Sequence, residues 1–528
     1  MDWSRKLLHF TVIMTLILQP QSVSGKESHY GGTLCWGICH KPTCINPVLT
    51  THSVSMALVA LVFNGLVRVN AKGEIEPDLA RSWEISEDGL TYTFFLRQGI
   101  RFHDGKSFTA EDAVFTYQNI LSCDPESPYF GFFDLVREVS APDAFVFRIR
   151  LKSRSSSFIY LMTRQILPRH LFSEKDIYTS KYNFQPVGTG PFCFEQWTKD
   201  NQIMLRANHD YFEGRPYLDR IKIKTFASDR EVWSALMREE IDFCGFLKKE
   251  DYEILKEDKS FKTYAIPSGG YYALLYDLDC LLLSDIRVRQ ALAQGINLEQ
   301  VIERTVQGKG RKCYGPFPPD SPGYDRTIKK IVYAPDKAKQ SLKDAGWEDK
   351  DCDGILEKEG KQFELRVLID ERSDLYQRLA LVLRQELQGL GIKLRLIPFQ
   401  DETLLNESFF RKHQPNCRLS WISSGNNPDQ SAAFWTEHGR QRGGRIWAYD
   451  NKQVQDLCVQ AETAADKEKQ AEFYKKVHRI IYQEQPACFL FFSCAFCAVS
   501  AKLKNSEDFF SVNMPVHTIK NWYWSEQE

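Results

Sequence analysis

Charge of one sign is missing from this chain. Its 528 residues carry 68 Lys plus Arg against 69 Asp plus Glu, a net charge of −1. Without a basic excess there is no electrostatic footprint for a polyanion, so nucleic acid is not an expected partner. Long apolar runs are missing too: after residue 18 no stretch is long and apolar enough to cross a bilayer. Short repeats and low-complexity linkers are absent. So are the motifs of common hydrolases, with no G-x-S-x-G elbow, no H-E-x-x-H pair and no Cys/His pair in a convincing frame. The N-terminal cluster "CWGICHKPTC" lacks the C-x2-C pair of a structural zinc site, because Cys35, Cys39 and Cys44 are spaced C-x3-C-x4-C. Its cysteines are expected in a disulfide or as buried thiols.

What is present is an ordinary globular composition, 43% hydrophobic and 26% charged, with 13% aromatic residues that suit a core or a large cleft. The first residues form a targeting segment. Arg5 and Lys6 precede an apolar run at 7–18, and Val23-Ser24-Gly25 stand before a cut at Lys26. The mature chain is therefore expected to be exported. No Cys directly follows the apolar run, so no lipid anchor is expected. Fourteen cysteines in an oxidising compartment raise the expectation of disulfides. "CAFC" at 494–497 has redox spacing but lies in a strand-like run, whereas a redox pair opens a helix.

Strands and helices alternate along the chain. "LTYTFFLR" (90–97) and "FVFRIRL" (145–151) predict strands. Thr109 with Asp112 predicts a capped helix start, Asp336 another, and helices are expected over 374–391 and 466–484. Asp88-Gly89 and Asp104-Gly105 carry turn chemistry. The carboxylates of 81–120 thus have structural work and do not point to catalysis. "DKDCDG" sets Asp349, Asp351 and Asp353 at calcium-loop spacing, but the twelfth place is Gly360 and no second helix follows, so an acidic hairpin is expected.

Five blocks carry a family likeness. The segment at 63–117, "PVGTGPFCFEQW" (186–197), "NHDYFEGRPYLDRIKIK" (208–224), "SDIRVRQALAQGIN" (284–297) and the Ala-Gly-Trp segment at 334–369 occur in order. Together they resemble the bacterial extracellular solute-binding proteins of the oligopeptide, dipeptide and nickel receptor family. The resemblance implies an α/β, periplasmic-binding-protein-like two-lobed clamshell with an extra inserted domain. Lobe one would combine 26–66, 187–270 and 486–528; the insertion would span 67–186, and lobe two 271–485, after a signal peptide at 1–25. It also implies a monomer in the periplasm, without cofactor or enzymatic activity. Such a protein captures peptides and hands them to ABC-importer permease subunits with their cytoplasmic ATPases.

The resemblance also proposes where a ligand sits. Trp421, in the strand-like "CRLSWIS", matches a pocket-lining position, and Arg418 matches a basic position that meets ligand carboxylates. A carboxylate that pairs with the peptide α-ammonium is replaced by Ser424. Asn427 replaces the first Asp of an Asp-Pro-Asp, whose Pro428 and Asp429 remain. A hydroxyl gives a buried ammonium no ionic partner, so a modified or cell-wall-derived peptide is attractive. On the N-terminal side, Trp36, His40, His52 and Ser53 are candidates. Two histidines leave a nickel, metal-chelate or haem ligand open. From other classes, an exported hydrolase or a disulfide-linked envelope protein remain as alternatives.

Overall fold

A computed structural model of the chain describes residues 30–39, 41–50, 52–121, 133, 135–155, 158–172, 177–371, 373–400, 411–423, 432, 434–436, 449–464, 466–511 and 514–525. The expected signal segment at 1–25 and the candidates His40, Ser424, Asn427 and Asp429 lie outside the described residues.

An 11-stranded sheet runs through both lobes. From one edge its order is Lys393–Phe399, Glu364–Asp370, Cys417–Ser423, Phe261–Tyr276, Ala487–Ser500, Phe243–Cys244, Thr33–Ile38, Arg220–Thr225, Gln202–Ala207 and Phe192–Trp197. A short strand, Gly310–Lys312, pairs beside Ala487–Ser500. Two members are long, 16 residues for Phe261–Tyr276 and 14 for Ala487–Ser500. They pair antiparallel from Phe261↔Ser500 to Pro267↔Cys494 in the first lobe, shift register, then pair from Tyr271↔Phe492 to Leu275↔Ala487 in the second. These two strands are the crossing between the lobes.

The cores follow from strand alternation. Leu34, Trp36 and Ile38 turn one face of their strand into a large cluster with Ile221, Ile223 and Phe243. The second lobe buries both faces of its sheet. Leu365, Val367 and Leu419 pack under Leu379 and Leu383 of the helix Asp374–Gln388, while Tyr271, Ala273 and Ile422 meet Tyr474 and Val477 on the other side. The expected extra unit has its own four-stranded antiparallel sheet, ordered Ala80–Ile85, Thr91–Leu96, Val146–Leu151, Val136–Asp143, covered by the helix Ala110–Leu121. Phe94 and Phe147 from this sheet join the same cluster as Leu34, so it shares a core with the first lobe.

A half-buried ion network ties that junction. Arg68 reaches Glu76 Oε1 at 2.6 Å and Glu213 Oε2 at 2.7 Å, and Lys520 also bonds Glu213. Burial would push the Glu213 carboxyl up, but Arg68 and Lys520 bring it down to about 2. Burial holds the neighbouring Asp78 carboxyl up, near 7, against the opposing pull of Arg68. Asn64 Nδ2 donates to Asp78 Oδ1 at 2.9 Å, and its own Oδ1 accepts from Thr189 Oγ1 of the "GTG" block at 3.1 Å.

The reactive-looking residues of 81–120 are architectural. Gly89 takes φ +70° in the hairpin turn, where Asp88 Oδ1 accepts from the Leu90 amide at 2.9 Å. Asp112 Oδ2 accepts from the Thr109 amide at 2.9 Å, and its other oxygen accepts from the Arg169 amide at 2.9 Å. His103 Nδ1 accepts from the Gly188 amide at 3.3 Å, which leaves Nε2–H to donate to the Gly190 carbonyl at 3.0 Å. Burial lowers its pKa to about 4, so it works as a neutral tether. One expected helix start is corrected. The helix Pro335–Asp344 begins before Asp336, with Ala334 at the cap, because Pro335 has no amide hydrogen to satisfy and suits the first turn.

Candidate functional site

Strand polarity locates the cleft. Thr33–Ile38 runs parallel to Arg220–Thr225 and to Phe243–Cys244. Phe192–Trp197 runs in the same sense, since two antiparallel pairings separate it from Arg220–Thr225. These strands also share the direction of Phe261–Tyr276, which enters the second lobe. Their carboxyl ends, Ile38, Trp197, Thr225 and Cys244, therefore face that lobe. In the second lobe Glu364–Asp370, Lys393–Phe399 and Cys417–Ser423 run parallel to one another and antiparallel to Phe261–Tyr276. Their carboxyl ends, Asp370, Phe399 and Ser423, face back. Two carboxyl edges thus oppose each other across a gap crossed by two strands, the place where open α/β sheets hold ligands.

On the second-lobe wall, Trp421 is 44% exposed. Its ring lies against Gly270, where a Cβ would stand 2.4 Å from the indole Cζ2. Its amide donates to Tyr376 Oη at 2.7 Å, near the start of the helix Asp374–Gln388. Tyr272, directly across from Trp421, stacks edge-on to Tyr376 with centroids 5.7 Å apart and lies 5.1 Å from Phe491. Gly270, Tyr272 and Tyr376 escaped the sequence reading. The "SGGYY" run, a glycine pair within an apolar strand, is the signal that marks a close backbone approach there.

Arg418 does not join Trp421. Three residues apart in a strand means opposite faces, and Arg418 shares its face with Ser420 and Ile422. Its guanidinium lies 5.5 Å from the centroid of Phe399, the last residue of its strand.

On the first-lobe wall, Trp36 is 5% exposed and packs on Phe243 with centroids 5.1 Å apart. It is a core residue, because the even positions of its strand face inward. His52 and Ser53 lie at the start of a helix that follows the loop after Thr33–Ile38. Ser53 begins the helix Ser53–Val62 and is exposed, while His52 is half-buried at the cap with its amide donating to Thr50 Oγ1 at 3.2 Å. The preceding loop is pinned by Asn46 Nδ2, which donates to Asn183 Oδ1 at 2.8 Å, and by the Thr43 amide, which donates to Ser55 Oγ at 3.1 Å. A cavity of about 580 Å³ opens at the carboxyl edge, lined by residues that include Lys41, Phe184, Trp197 and Lys199.

Beside the crossing, the helix Lys249–Leu255 of the first lobe touches the second. Glu253 pairs with Lys309, whose Nζ lies 3.8 Å from the Tyr252 centroid and 5.0 Å from that of Phe496. Cys35, Cys39 and Cys44 are free, half-buried thiols, so the disulfide alternative for this cluster does not hold. Burial, helped by Asp229, pushes the Cys39 thiol up to about 12. Among the described residues, only Asp349, Asp351 and Asp353 bring three ligand-type groups within 4.8 Å. These exposed carboxylates cap local amides, such as Ile355 N to Asp353 Oδ1 at 2.7 Å, in the acidic turn expected there.

Two lobes, joined by paired strands and opposed at their carboxyl edges, define a hinged binding protein. The chain belongs to the bacterial extracellular solute-binding proteins, family 5, whose middle region matches residues 74–443. The oligopeptide-binding protein AppA of Bacillus subtilis is 26% identical over 537 residues, covering 98% of each chain. Its structure with a nonapeptide superposes with a TM-score of 0.78 at 26% identity, over 94% of this chain and 100% of the other. NikZ of Campylobacter jejuni, solved with Ni(L-His), gives a TM-score of 0.78 at 25% identity, over 93% and 99%.

Proposed function

We propose that this chain is a peptide receptor: it captures peptides between its lobes and delivers them to an ATP-driven importer. The observation that carries this reading is the half-exposed Trp421, seated on Gly270 at the carboxyl edge of one lobe and facing the carboxyl edge of the other. A flat apolar surface at a carboxyl edge suits a ligand held by its backbone, with side chains left loosely selected. The likeness to a protein named for oligopeptide binding supports the same ligand class. In this reading Trp421, His52 and Ser53 meet the ligand, and Arg418 acts through Phe399 at the rim. The protein works in the periplasm as a monomer without catalysing a reaction, and its partners are permease subunits and their ATPases.

Calorimetry with a mixed set of peptides, followed by mass spectrometry of the recovered peptides, tests this. Saturable binding with intact recovery is the expected outcome. Cleaved peptides would make the chain an enzyme. Binding of nickel–histidine but of no peptide would assign it to chelates, the ligand in the NikZ structure.

A further inference from the structure

We propose that the cavity beside Lys41 is an anion-accepting subsite that holds a carboxylate-bearing, flat or apolar end of the ligand. The proposal deepens the peptide reading and rests on it in one respect: for a peptide, that end is its C-terminal or an acidic residue.

Its lining is chemically one-sided. Lys41 and Lys199 are among its lining residues, and no Asp or Glu is. Neither lysine makes an ion pair with a described residue. Other lysines of the chain do meet carboxylates, as in Lys312 with Glu299 at 2.5 Å and Lys262 with Glu507 at 2.8 Å. Two unneutralised cations at one concave site leave a local positive field that a carboxylate relieves.

The apolar part of the lining is just as specific. Phe184 is 50% exposed, and its ring centroid lies 5.9 Å from that of Trp197 at 54°. Two tilted rings offer flat contact on two sides, which a small inorganic anion would leave wet. The ligand class is therefore an organic anion with a planar or aliphatic body.

The walls are held in place before any ligand arrives. Trp197 closes its strand, and the following turn is fixed by the Asn201 amide on the Thr198 carbonyl at 3.0 Å and the Gln202 amide on Thr198 Oγ1 at 3.2 Å. That turn carries Lys199. Lys41 precedes buried Pro42 and the pinned Thr43. Lys41 follows Ile38 by three residues and Lys199 follows Trp197 by two, so both cations stand just past strand ends on the carboxyl edge that faces the second lobe.

The test uses the full mature chain labelled with 5-fluorotryptophan, with the Trp197 fluorine signal assigned by Trp197→Phe. The probes are 3-phenylpropionate and its amide. The acid should shift the Trp197 signal saturably, the amide should bind about tenfold or more weakly, and Lys41→Gln with Lys199→Gln should bring the two within about twofold. Both lysines are exposed, and an unchanged melting temperature confirms the fold of the double variant. Equal response to acid and amide, no shift up to about 50 mM, or a preference that survives the double variant would overturn the subsite. A chain that binds peptides without any Trp197 response loses the subsite alone. One that binds the acid at Trp197 but no peptide keeps the subsite and loses the peptide reading.

Discussion

Removing the indole of Trp421 should weaken peptide binding without unfolding the second lobe. A tryptophan carries roughly 150–250 Å² of buriable surface, and 44% of Trp421 is uncovered. A ligand that covers the rest removes about 70–110 Å² from water. At about 25 cal/mol per Å² this contributes about 1.8–2.8 kcal/mol, or roughly 20- to 100-fold in Kd. Trp421→Ala should therefore raise Kd by that factor in calorimetry with any peptide the wild type binds, and Trp421→Phe should recover part of it. The backbone of Trp421 stays paired with Tyr272 and Tyr376 in either variant, which keeps the strand in register. A Kd within twofold of wild type for Trp421→Ala would refute the reasoning, since the exposed face would then not be the ligand's.

Gly270→Ala places a methyl group 2.4 Å from the indole and 2.5 Å from the Ile422 carbonyl. Such overpacking costs about 1–3 kcal/mol and should lower the unfolding midpoint in denaturant while also weakening peptide binding. His478 is buried and neutral, with Nδ1 accepting from the Asp325 amide at 2.8 Å and Nε2 on the Tyr314 carbonyl at 2.7 Å. Burial lowers its pKa to about 4 from the ordinary 6.5. The unfolded chain then binds the extra proton first, so stability is full above pH 6.5 and falls as pH drops towards 4, by up to about 3 kcal/mol. Thermal melts of wild type and His478→Asn across that window check the sign: a wild type whose melting temperature holds flat from 7 to 4 contradicts it. Asp466→Ala removes the cap that accepts from the Lys469 amide at 2.8 Å and should cost about 1 kcal/mol in denaturant unfolding, with peptide affinity unchanged.

Local chemistry was legible in the chain. Asp88-Gly89 and Thr109 with Asp112 each act within about one turn of backbone, so neighbours in sequence are neighbours in space. Asp336 was misjudged because Pro335 claims the first helical position ahead of it. Arg418 and Trp421 look like companions by spacing, yet the two-residue period of a strand sends them to opposite faces. Trp36 follows the same rule into the core. Gly270 and Tyr376 could not be joined to Trp421 from sequence, because cross-strand register and the packing of a helix 45 residues away bring them together. The cavity is drawn from three separated segments, around Lys41, Phe184 and Trp197, and no local pattern announces it.

The crossing between the lobes is a ribbon of two paired strands whose ladder slips between Pro267 and Tyr271 and again between Tyr272 and Ala273. A two-stranded ribbon accommodates twist more readily than a broad sheet does. Opening and closing can therefore proceed as torsion, with backbone amides on either side of the two slips still bonded. A joint of this kind leaves the packing within each lobe untouched, so the surface each lobe shows a partner is set by its own core and not by how far the lobes have turned.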